Sequence, residues 1–114
     1  MMNTVDVDPH IFVVFGGTGD LMRRKLLPSI FRLAEQDRMG SSYKVLAIAR
    51  ETDISNEEYR DRAQQALEEF VPEAGNAKSW CDSCLHYLTI GEASEEDYAR
   101  IKAYIEQLEA DFDL

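Results

Sequence analysis

Histidine and cysteine are scarce in this chain, two of each among 114 residues, and the scarcity removes most metal and nucleophile chemistry. Cys81 and Cys84 form a CxxC, half of a zinc site, but no second pair of ligands stands at a suitable spacing. They read as two unpaired thiols ahead of a strand, and His86 falls one residue too late for a haem-attaching CxxCH. His10 and His86 lack a neighbouring nucleophile or partner acid and read as structural, and the lone Trp80 reads as an optical probe. Basic residues number 12 against 22 acidic ones, and the net charge of −10 repels nucleic acid and anionic membrane as a whole. No apolar run approaches the roughly 20 residues that span a bilayer. The first residues do not read as a basic and apolar leader, so the cytoplasm is the expected compartment. GxxxxGK[ST] is absent, which excludes a P-loop.

What the chain does have is concentrated in IFVVFGGTGDLMRRKLLP, Ile11 to Pro28. Ile11–Phe15 is apolar without alternation, as in a parallel strand buried on both faces. Gly16, Gly17 and Gly19 allow a sharp turn and close approach of a ligand to the backbone. A helix is expected from about Thr18, its unpaired amides and positive dipole end facing back over the glycines, where an anion is stabilised. The turn is GxxG rather than GxGxxG, and Met22 occupies the place of the third small residue. Arg23, Arg24 and Lys25 reverse the sign of charge locally. The alternatives on these residues alone are a tight turn that binds nothing and a solvated basic helix face.

The rest predicts an α/β architecture. Tyr43–Ala49 reads as a second strand and Leu85–Ile90 as a third, edge-like one. Ser55 and Glu58 form a capping box for a helix with Tyr59, Ala63, Ala66, Leu67 and Phe70 on one face. Ser94 and Asp97 echo that start for a last helix, whose Tyr98, Ile101, Ile105, Leu108 and Phe112 read as a sheet-packing face. Pro28 is expected to break or bend the first helix. The order β-α-β-α-β-α is a Rossmann-like half, a three-stranded parallel sheet with flanking helices, preceded by a tail at residues 1–10. The fourth strand of the doubly wound order is missing, so the edge of the first strand is expected to be uncovered, with self-association through it or marginal stability as the consequence.

The string GGTGDLMRRKLLPSIFRL resembles the amino-terminal cofactor loop of the glucose-6-phosphate dehydrogenase family. Its GxxGDLxxRKLxPxL pattern is met at eight of nine fixed positions: Gly16, Gly19, Asp20, Leu21, Arg24, Lys25, Leu26 and Pro28, with Ile30 in place of the last leucine. VLAIARETDISNEEYRDRA is similar to the family's second strand, its arginine and the helix after it; Leu85–Leu114 is similar only in its plan of strand then helix. The resemblance implies that residues 11–114 are part of an NAD(P)-binding Rossmann domain. The implied cofactor contacts are Gly16, Gly17, Thr18, Gly19, Asp20, Leu21, Met22, Arg23 and Arg50, with Glu51 beside them. Arg50 stands where the family pairs an arginine with the 2′-phosphate of NADP, and Glu51 replaces an uncharged polar residue, so use or preference of NAD is also open. Lys25 matches a lysine near the sugar phosphate. The implied reaction is oxidation of glucose 6-phosphate to 6-phosphogluconolactone, in the pentose phosphate route. The catalytic RIDHYLGK-type segment is not in these residues, so this chain alone is expected to be inactive. The alternatives are a stand-alone nucleotide-binding or docking module and, less well supported by RKLxP, another Rossmann oxidoreductase such as a sugar-nucleotide epimerase.

Overall fold

The structure is a computed structural model, and it describes residues 8–40, 42–50, 54–73, 75–91 and 95–114. In chain order its elements are β1 (His10–Phe15), a π-helical turn (Met22–Leu26), α1 (Leu27–Glu35), β2 (Tyr43–Ala49), α2 (Asn56–Phe70), α3 (Ala77–Cys84), β3 (Leu85–Thr89) and α4 (Glu95–Phe112). The strands form one parallel sheet in the order β1-β2-β3, with Phe15 beside Ile48 and Ile48 beside Leu88.

The central strand organises both layers. Val45, Ala47 and Ala49 enter a core with Met22, Phe31 and Leu67 on the side of α1, α2 and α3, whereas Leu46 and Ile48 meet Ile90 and Ile101 on the side of α4. A side-chain period of two delivers alternate residues to opposite faces, and successive right-handed crossovers place α1 and α2 together. On β1, only Val14 is buried; Ile11 and Val13 are half-buried, and Phe12 and Phe15 are 42% and 61% exposed. The expectation of a strand buried on both faces is corrected: β1 lies at the edge, with no strand on its free side among the described residues to complete the cover.

Other expectations are revised by particular bonds. The helix starts at Asp20 rather than about Thr18, because the Gly19 amide closes a turn on the Gly16 carbonyl (2.9 Å) and the Gly19 carbonyl takes the first helical bond, from the Arg23 amide (3.1 Å). Pro28 neither breaks nor interrupts the helix. The turn before it widens to π spacing, with the Leu27 amide on the Met22 carbonyl, and α-helical bonding resumes with Pro28 in the first turn of α1.

Helix α3 departs from the expected alternation, since α2 and α3 both precede β3. It turns Ala77, Trp80 and Cys81 inward at spacings of three and four. Trp80 is therefore a core residue: its ring meets Phe31 edge-on at 5.3 Å and its indole donates to the Tyr43 hydroxyl at 2.7 Å. Burial raises the Cys81 thiol to about 12, an inert neutral group rather than a thiolate.

On α2, the Glu58 amide donates to Ser55 Oγ (3.1 Å), and Tyr59, Ala63, Ala66 and Leu67 are buried. Phe70 is only half-buried, because it sits at the helix end beneath the guanidinium groups of Arg23 and Arg24, 5.0 and 5.8 Å from its centroid. On α4, Ile101 and Leu108 are buried and Ile105 half-buried, while Tyr98 and Phe112 are exposed. Tyr98 lies beside the carboxyl ends of the strands, and Phe112, at the other end of the helix, covers Lys44 Nζ (4.0 Å) and approaches the His86 ring (5.8 Å). Ser94 lies outside the described residues; Asp97 is buried and accepts from the Gly91 amide (3.1 Å).

His10 stacks on Tyr43 at 6.0 Å. His86 accepts at Nδ1 from Arg60 Nη2 (3.3 Å), which leaves the proton on a buried Nε2 without a partner among the described residues. Burial, then the charges of Arg60 and Lys44, lower its pKa to about 4. The unfolded imidazole protonates near 6.5, so between about 6.5 and 4 the unfolded state binds the extra proton and stability falls as pH falls. Chemical denaturation across pH 4–7 is expected to show the wild type losing roughly 1 kcal/mol more than His86→Gln, a value discounted for screening of a half-buried ring. Parallel pH profiles would remove His86 as the cause.

Candidate functional site

The site begins where β1 runs out. Gly16 takes φ of +79°, a left-handed conformation that only glycine adopts cheaply. The amides of Gly16 and Gly17 then both donate to the Ile48 carbonyl, at 2.8 and 3.0 Å, tying the turn to the end of β2. A Cβ on Gly17 would lie 2.6 Å from the Ala47 Cβ, so this glycine lets the loop lie against the sheet. A Cβ on Gly19 would lie 3.2 Å from the Gly16 carbonyl. The amides of Asp20, Leu21 and Met22, the first of the helix, have no backbone partner among the described residues.

Two cavities adjoin this loop. One, of about 420 Å³, opens at the carboxyl ends of the strands and is lined by Gly16, Thr18, Gly19, Arg50, Ile90 and Tyr98, among others. The other, of about 290 Å³, lies toward α2 and is lined by Gly17, Met22, Arg23, Tyr59 and Glu69, among others. Thr18 and Gly19 line both, so the loop is the wall between them.

The sequence-derived residues divide accordingly. Gly16, Thr18, Gly19 and Arg50 converge on the strand-end cavity. Gly17 and Met22 support the loop from the helical side, and the Met22 side chain is 2% exposed, a core residue. The close approach expected of a small residue at Met22 is made at Gly17 instead. Asp20 accepts from Arg24 Nε (2.9 Å), Arg23 pairs with Glu69, and both arginines rest on Phe70. Lys25 is exposed and Leu21 is 63% exposed, and neither lines either cavity. Glu51 lies outside the described residues.

Sequence reasoning missed two contributors. Tyr98 was assigned to a packing face, yet its ring lines the strand-end cavity together with buried Asp97 and Ile101. Tyr59 was correctly placed in the core, but its hydroxyl also donates to the Gly17 carbonyl at 2.7 Å. The apolar spacing of α2 gives its burial and no sign of that bond. Among the described residues no group of three His, Cys, Asp or Glu is placed to hold a metal ion, and no helix is long and apolar enough to cross a membrane.

Comparison with known proteins agrees with this geometry. Residues 13–113 match the family described as glucose-6-phosphate dehydrogenase, NAD binding domain. A glucose-6-phosphate 1-dehydrogenase of Aggregatibacter actinomycetemcomitans is 32% identical over 96 residues, 84% of this chain and 19% of that protein. The Chlamydia pneumoniae enzyme is 39% identical over 74 residues, 65% of this chain and 14% of its own. Among solved structures, a glucose-6-phosphate dehydrogenase in complex with its substrate glucose-6-phosphate superposes with a TM-score of 0.78 at 26% identity, covering 100% of this chain and 23% of that one. The Mycobacterium avium enzyme shares the fold, with a TM-score of 0.74 at 22% identity over 86% of this chain and 22% of its own. The chain thus spans about a fifth of the length of the curated relatives it matches. A glycine turn on a parallel strand, an arginine at the end of the next strand and a family match over nearly all of its length lead to one conclusion: the chain belongs to the glucose-6-phosphate dehydrogenase family, as its NAD-binding domain.

Proposed function

We propose that this chain holds NADP, or NAD, across the carboxyl ends of its strands, as the cofactor-binding part of an enzyme that oxidises glucose 6-phosphate to its lactone. The observation that carries the reading is the convergence of Gly16, Thr18, Gly19 and Arg50 on one cavity. The fit is chemical as well as spatial. A diphosphate suits the loop and the first helix amides, because backbone donors and the helix dipole both favour negative charge there. Arg50 offers a fork of donors to a 2′-phosphate, and the Tyr98 ring with Ile90 and Ile101 offers a flat apolar surface to an adenine. The nicotinamide of such a cofactor supplies a hydride acceptor.

In this reading Asp20, Leu21 and Met22 contribute main-chain amides, while Arg23 braces the helix start through Glu69 and Phe70. Lys25, exposed on the same turn, faces the sugar phosphate once the rest of the enzyme surrounds it. The chain by itself binds cofactor without turnover. The cytoplasm is its place of action.

The β1 edge, unpaired among the described residues, carries HIFVVF, with no acidic residue, lysine, arginine or proline to block pairing. We infer self-association through it when nothing else covers it.

Calorimetric titration with NADP and then NAD is expected to show saturable binding of both that is lost in Gly19→Val, whose side chain presses on the Gly16 carbonyl. A folded chain that binds neither would overturn the reading. Arg50→Ala is expected to weaken NADP about tenfold while leaving NAD within twofold, since a charge-assisted bond contributes on the order of 1.5–3 kcal/mol before solvent screening. Glu51→Ser is expected to raise the NADP-to-NAD affinity ratio, and an unchanged ratio removes Glu51 from the selection. By sedimentation velocity, the free chain is expected to associate and Phe12→Lys to be monomeric; a monodisperse wild-type monomer would refute the edge argument.

A further inference from the structure

We infer that Tyr59 is a positioning residue for the phosphate cradle: its hydroxyl fixes the Gly17–Thr18 peptide so that the Thr18 amide faces the strand-end cavity. The inference rests on the cofactor reading above and adds to it a residue that lies outside that cavity's lining.

The loop lacks the side chains that ordinarily restrain peptide planes. Two successive glycines leave the peptide planes around Gly17 with few steric restraints, and such planes flip unless something holds them. The Gly17 amide is held by the Ile48 carbonyl. The Gly17 carbonyl, one bond pair further on, is held by Tyr59 alone among the described residues, at 2.7 Å. In a trans peptide the carbonyl and the next amide point in opposite directions. A Gly17 carbonyl drawn toward α2 therefore turns the Thr18 amide away from α2, toward the cavity at the strand ends. That amide has no backbone partner among the described residues, so it remains a donor for an anion.

The anchor is itself held in place. Tyr59 is 4% exposed, and its ring stacks on Tyr87 at 4.7 Å with planes 14° apart. Tyr87 belongs to β3, and its amide donates to Asn56 Oδ1 at 2.6 Å, on the first turn of α2. Burial raises the phenol above its ordinary pKa, so the hydroxyl keeps its proton to donate throughout the working pH range. A chain of contacts thus runs from the edge strand β3 through Tyr87 and Tyr59 to the loop at the opposite side of β2.

Tyr59→Phe removes the donor and keeps the stacked ring, which separates positioning from packing. Wild type and variant are titrated with NADP and with adenosine 2′-monophosphate, a probe that reaches Arg50 and carries no diphosphate for the loop. The expected result is a five- to tenfold weaker NADP complex with adenosine 2′-monophosphate within twofold of wild type, because a single buried hydrogen bond is at stake. Wild-type binding of NADP with equal affinity in Tyr59→Phe overturns the inference and leaves the cofactor reading standing. An equal loss for both ligands also overturns it, since that marks general loosening. A folded wild type that binds no NADP overturns the cofactor reading and this inference with it.

Discussion

The carbonyl of Ile48 accepts two amides, those of Gly16 and Gly17, and the geometry of the whole site descends from that pair of hydrogen bonds. It stops β1 from pairing further along β2, lifts the chain out of the sheet and presses Gly17 against Ala47, where any side chain would meet the Ala47 Cβ at 2.6 Å. The helix that follows starts where the loop permits, at Asp20, and its first amides look back over the turn. Ile48 also packs with Ile90 and Ile101, so the acceptor that pins the loop is held by the core under α4.

Charge alone does not explain why an acidic chain would attract a dinucleotide at this place. The basic run is mostly spent on neighbours: Arg23 on Glu69, Arg24 on Asp20, and both on Phe70. These pairs are about half exposed or more, and such pairs contribute on the order of 0–1 kcal/mol each. Their function is to brace the π-turn against the end of α2. In the proposed cofactor reading, the attraction for an anion comes from the oriented amides, which need no counter-ion and act at contact distance, together with Arg50 on the facing strand end.

Much of this was legible in sequence for a physical reason. β2 is apolar at every position from Val45 to Ala49 because it feeds two cores, and a strand of that kind announces both itself and the layers around it. The GxxG turn was legible because few residues other than glycine tolerate its backbone. Helix α3 was not, since eight residues with Lys78, Asp82 and two serines show too little periodicity to separate from a loop. The widened turn before Pro28 and the burial of Met22 were hidden for a related reason: both depend on how the helix start meets α2, which no local pattern encodes. Tyr98 was misread because its spacing matches the packing face of α4, while its position past the end of the sheet decides its exposure.

The strand that delivers the loop is also the least protected part of the sheet. β1 has its full ladder with β2 on one side and none on the other among the described residues, and Phe15, its last residue, both lines the strand-end cavity and stands 61% exposed. Loop geometry therefore depends on how firmly β1 is held in extension up to Phe15. In the proposed reading, anything that covers its open edge, whether another strand or a second copy, stabilises the same loop conformation that would bind the anion. By linkage, the anion then strengthens that covering contact by the same factor. Edge cover and cofactor affinity are in this way two readings of one equilibrium, joined at the peptide that follows Phe15.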